Sequence, residues 1–147
     1  MIDQLPPPAP TSEVEQIAQN LFREWAFDRQ IVIYTVRDIS RDTIDAWSRL
    51  ILDTIEAWPV GQPFLALFDL SFPEASLTPY VRDRLGEVMD SQHDLRGRTA
   101  LVMRKGFLVS LIQIYLRNRR PGKRQRQIFF SRVEGLAWLA QVLEDQE

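Results

Sequence analysis

Apolar residues along this chain change their period several times, and the changes mark out its elements. From Leu21, "LFREWAF" and "IVIYTV" are two aromatic and β-branched runs around the polar "DRQ", which reads as a β-hairpin. From Arg41 to Ala57 the period becomes helical. Ile44, Trp47, Ile51, Ile55 and Trp58 recur at spacings of three and four, Ser40 or Asp42 caps the start, and Pro59 with Gly61 closes the end. "FLALFDL" is then a buried strand without polar alternation, and a helix from Pro79 to about Met89 carries Val81, Leu85 and Val88 on one stripe. "RTALVMR" is another buried strand, "GFLVSLIQIYLRN" another helix, and "RQIFF" a last strand. Ser131 with Glu134 forms a capping box that opens a final helix through Leu143.

The order is β-β-α-β-α-β-α-β-α. This is an α/β pattern: a mostly parallel five-stranded sheet, one antiparallel strand from the N-terminal hairpin, and four main helices. Ser12 with Glu15 is a further capping box, so residues 13–20 read either as a short helix or as part of the hairpin; the hairpin is preferred. Residues 1–12 hold four prolines and no periodicity, and are expected to form a disordered arm before a single domain spanning 13–147.

Composition narrows the chemistry. There is no cysteine, which excludes disulfides and thiolate catalysis, and the single histidine, His93, rules out a multi-histidine metal site. His93 lies in the polar "DSQHDLRG" and is expected to be solvated. No cofactor is expected. A net charge of −2 recruits neither nucleic acid nor anionic membrane. The most apolar window, "GFLVSLIQIYL", is far short of the ~20 residues that span a bilayer. The start, "MIDQLPPPAPTSEVE", has acids and prolines where a signal peptide needs basic and then apolar residues, so a cytoplasmic location is expected.

Three stretches carry candidate sites. In "ALFDLSFPEASLTPY", Asp69 closes a buried strand, and Ser71, Ser76 and Thr78 follow in a loop suited to a ligand or to regulation. Asp69, and Asp38 after the earlier strand, are the acids an enzyme of this fold would use. The plainer role for either is to accept N–H groups of its own loop. "RNRRPGKRQR" gathers Arg117, Arg119, Arg120, Lys123, Arg124 and Arg126 without an acid, which suits an anion or a nucleic-acid phosphate. No aromatic is interleaved to stack bases, so a solvated loop is the plainer reading and nucleic acid is not the expected partner. The helix from Phe107 is apolar over roughly 220°, wider than the ~100° stripe one sheet face buries. Phe107, Leu108, Leu111, Ile112 and Tyr115 are therefore candidates for an oligomer contact, with a homodimer as the expected form.

Taken in order, "FDLS", a loop and helix, "TALVM", "IFFS" and "EGLAWL" resemble STAS-like domains, the anti-sigma-factor-antagonist fold, over roughly Leu21 to Leu143. The resemblance implies a non-catalytic regulatory or scaffold role, acting on protein partners or a small ligand. In that family the loop after the strand ending in aspartate carries Asp-Ser-Ser-Gly, whose second serine is a phosphorylated switch. Aligned on "FDLS", Leu77 stands at the aspartate, Thr78 at the first serine and Pro79 at the acceptor. Proline has no hydroxyl, so the switch is not expected here. The residues themselves read Thr78-Pro79 as a strong helix start.

Overall fold

The computed structural model describes residues 13–119 and 122–145; the proline-rich arm lies outside them. The hairpin forms as β2 (Leu21–Ala26) and β3 (Ile31–Val36), paired antiparallel from Leu21↔Val36 to Ala26↔Ile31. It is joined by a strand that the sequence left undecided. Glu15–Ala18 is β1, antiparallel to β2, so among the described residues the sheet has six strands rather than five. Ser12 of the capping box lies outside the described residues, and Glu15 lies in this strand rather than in a helix. Glu15 instead accepts Arg23 Nε and Nη2 across the β1–β2 pair, both at 3.1 Å. A four-residue segment with no apolar stripe gains more from ladder bonds than from an isolated helical turn.

From β3 the chain alternates: α1 (Arg41–Glu56), β4 (Phe64–Asp69), α2 (Pro79–Asp90), β5 (Gly97–Val102), α3 (Phe107–Arg117), β6 (Arg124–Phe129) and α4 (Arg132–Asp145). Spatial order follows chain order, β1 to β6, and β3 through β6 pair in parallel. The caps sit where the sequence put them. Ser40 Oγ accepts from Thr43 N–H at 3.3 Å, and Ser131 Oγ accepts from Glu134 N–H at 3.2 Å.

Two cores result. On one face α1, α2 and α3 pack Trp47, Ile51, Leu85, Val88 and Ile112 over Tyr34, Phe68 and Leu101. On the other, α4 alone packs Leu136 and Leu139 over Ile33, Leu65, Leu67, Ala100 and Val102. Gly135 lets α4 lie close: a β-carbon there would meet Leu67 Cδ1 at 3.0 Å and Ala100 Cβ at 3.4 Å.

The last turn of α2 contains no basic residue, and β6 supplies the missing cations. Arg124 is 8% exposed. It donates to the carbonyls of Ser91 at 2.6 Å and Gln92 at 2.8 Å, and more loosely to those of Val88 and Leu95. Arg126 Nη2 donates to the Met89 carbonyl at 3.0 Å. Replacing Arg124 by methionine keeps much of the packing but leaves these carbonyls unmet. It should cost about 1–3 kcal/mol in urea denaturation, with amide exchange at the end of α2 accelerating first.

Candidate functional site

Parallel α/β sheets place ligand chemistry at the carboxyl ends of their strands, and Asp69 stands there as the last residue of β4. It is 9% exposed, and each carboxylate oxygen is engaged. Oδ1 accepts the N–H of Ser71 at 3.1 Å and its hydroxyl at 2.6 Å, the own-loop bonding that the residue type suggests. Oδ2 accepts Arg132 Nε at 2.8 Å. Burial alone would push this carboxyl up. The Ser71 hydroxyl, the Arg132 guanidinium and the Ser71 N–H outweigh it, and the group titrates below its ordinary value of 3.8.

Arg132 is not among the sequence candidates. As the first residue of α4 it sits at the positive end of a helix dipole, where a cation is misplaced unless something draws it. Three groups on the sheet do so. Thr35 and Asp69 are register partners on β3 and β4, and Glu24, 6% exposed, lies on the same face of β2. Arg132 Nη1 donates to Glu24 Oε1 and Nη2 to Thr35 Oγ1, both at 2.5 Å. One guanidinium therefore neutralises two buried carboxylates and ties α4 to three strands. Burial works against its charge, but the bonds to Asp69 and Glu24 prevail and hold its pKa above the ordinary value. Paired in this way, the cluster holds three strands to the start of α4, and both carboxylate oxygens of Asp69 already accept hydrogen bonds.

The other candidates at this pole are also used internally. Asp38 accepts Asn20 Nδ2 at 2.7 Å and the Ser40 N–H and hydroxyl at 3.3 and 3.1 Å, which fastens the β1–β2 turn to the start of α1. Its carboxyl is lowered chiefly by the Thr43 hydroxyl, against a smaller effect of burial. Thr78 Oγ1 accepts Val81 N–H at 3.2 Å and Pro79 opens α2, so the hydroxyl serves as a helix cap. Ser76 and Leu77 border a small apolar cavity of about 50 Å³ with Trp47, Leu85, Met103 and Ile112; Asp38, Asp69 and Thr78 do not line it.

The basic stretch does not converge on one point in space. Arg124 and Arg126 cap α2, Arg119 pairs with Asp90, and Lys123 approaches Asp94 at 3.8 Å. Arg117 remains exposed on α3, and Arg120 lies outside the described residues. His93 is half-buried: its carbonyl accepts the Lys123 N–H at 3.1 Å, and a β-carbon on Gly122 would stand 3.3 Å from its Nδ1. Among the described residues, no group of three or more acids or histidines could hold a metal ion. No helix there is long and apolar enough to cross a membrane.

Of the five residues proposed on α3, Ile112 is 4% exposed in the core, and Leu108 and Tyr115 pack against it. The Tyr115 hydroxyl donates to the Arg82 carbonyl at 3.1 Å. The outward stripe consists of Phe107 (77% exposed), Leu111 (36%) and Ile114 (51%), so Ile114 was missed. Its position seven residues after Phe107, on the same side of the helix, was the available signal.

Compared with known proteins, the chain matches no family model, no curated protein and no solved structure.

Arg132→Ala should destabilise the fold at neutral pH by about 2–3 kcal/mol. That is less than the ~3–5 kcal/mol of a fully buried pair, because the arginine is one-third exposed. The sign with pH follows from Asp69. Its folded-state value is depressed, so its contribution is complete above the unfolded value near 4 and is lost as pH falls through the lower folded value. Denaturation curves of parent and variant should therefore converge below about pH 4. Thr78→Ala should cost roughly 0.5–2 kcal/mol as a lost cap, measured the same way at pH 7.

Proposed function

We propose that this chain is a non-catalytic STAS-like domain that acts through protein contacts made by α3, without the family's serine switch. The observation that carries the reading is the outward stripe of Phe107, Leu111 and Ile114, three large apolar side chains left in solvent on one helix. A run of this kind on an ordered helix is the usual mark of a docking surface. The element order supports the STAS-like assignment, and Pro79 at N1 of α2, preceded by the capping Thr78, supports a domain that does not depend on phosphorylation at that loop. The internal hydrogen bonds that engage both carboxylate oxygens of Asp69 and of Asp38 favour binding over hydrolysis. The first partner to expect is a second copy, because a two-fold axis across α3 covers both stripes at once and a net charge of −2 does little to oppose it.

The unmodified chain should sediment as a dimer at high micromolar concentration. Leu111→Glu should give a monomer with an unchanged circular dichroism spectrum, whereas Ile112→Glu, aimed at the core, should unfold the domain. A parent protein that stays monomeric at that concentration would sink the self-association.

A further inference from the structure

β6 ends the sheet. β5 pairs with one side of it, and among the described residues no strand pairs with the other. The Phe129 carbonyl accepts the Met103 N–H at 3.0 Å, so residues 125, 127 and 129 turn their backbone groups toward β5. Strand alternation then turns those of Arg124, Arg126 and Ile128 outward. Charged side chains on an edge strand ordinarily obstruct pairing. Here both arginines bend away to cap α2, and among the described residues the rim of β6 is left open. Beside the rim runs an open groove of about 780 Å³, walled by Gln113, Leu116 and Arg117 of α3 and by Arg126, Gln127 and Ile128 of β6. Its lining holds two arginines and no acid. Arg117 has no ion-pair partner among the described residues, and Arg126 uses one donor group, Nη2, on Met89.

We propose that this groove binds an extended acidic peptide, which adds to the sheet as a seventh strand between β6 and the flank of α3. The outward N–H and C=O groups of Arg126 and Ile128 would hold its backbone, and alternate side chains would supply selectivity. In antiparallel addition, the residue opposite Arg126 projects on the α3 face, where a carboxylate meets Arg126 and Arg117. Two residues away, opposite Ile128, an apolar side chain lies against Ile128 and Leu116. The recognised pattern is an acid and an apolar residue two positions apart. A second β6 is the poorer occupant: "RQRQIF" brings two more arginines and no carboxylate, and a two-fold centred on Arg126 would set like charges opposite each other.

The proposal rests on reading the chain as a protein-binding domain but uses a different surface from the α3 stripe. Leu111→Glu, which tests the stripe, should therefore leave peptide binding intact. The probe is a blocked octapeptide of threonine and valine carrying one glutamate two positions from an isoleucine, titrated into the full chain beside its lysine-for-glutamate counterpart. The glutamate peptide should bind, and the lysine peptide should bind about tenfold more weakly or not at all. Affinity should fall with salt, and exchange of the Arg126 and Ile128 amides should slow in the complex. Arg117→Glu should weaken binding by about tenfold with circular dichroism unchanged. Ile128→Pro, which removes an outward N–H, should abolish it. Equal binding of the two peptides, no binding at millimolar concentration, or slowed amides elsewhere would overturn the proposal. So would a dimer of the unmodified chain that Ile128→Pro dissociates, since that would give the groove to a second copy.

Discussion

The handedness of parallel crossovers governs this molecule. Connections between neighbouring parallel strands are right-handed in nearly every known case, so a chain that always steps to the next strand on the same side lays each connecting helix on the same face. β3, β4, β5 and β6 follow one another in that way, and α1, α2 and α3 share one core. The opposite face is left to α4. One helix must cover what three cover on the other side, which accounts for its close seat at Gly135 and for the smaller second core.

The same constraint explains where buried charge is tolerated. Away from the axis of α4, the sheet face runs out of apolar cover, and Glu24, Thr35 and Asp69 occupy it. A hydrophobic lid is replaced there by a guanidinium that reaches back from the helix start. On the three-helix face the comparable strain falls at the end of α2, whose carbonyls point into packed structure and are met by Arg124. Arginine suits both tasks, because its planar fork holds several donors in fixed directions and keeps its charge when partly desolvated.

Much of the architecture was legible in the sequence because it rests on periodicity. The helical spacing of Ile44, Trp47, Ile51 and Ile55, the unbroken run of β4 and the caps at Ser40, Thr78 and Ser131 are local signals, and the structure uses them. β1 was ambiguous because its evidence is not local. Glu15 can serve a capping box or a cross-strand pair, and only the position of Arg23 decides. The roles of Asp69 and of the basic stretch needed partners 63 and about 30 residues away in the chain, which no spacing rule supplies. A signal for Arg132 was nonetheless present. Glu24 within an apolar strand calls for a counterion, and an arginine opening a helix calls for an anion.

The two borders of the sheet are unequal. β1 has four residues against the six of β6, and its ladder with β2 slips between Gln16 and Ala18. A slipped, short border twists away from the plane and offers no straight template to a neighbouring molecule. Head-to-tail stacking of whole sheets, the geometry that grows without limit into fibres, needs both borders to be receptive. With one of them spoiled, edge-to-edge growth stops after one addition, and the chain can carry an open β-strand border without being a polymer in waiting.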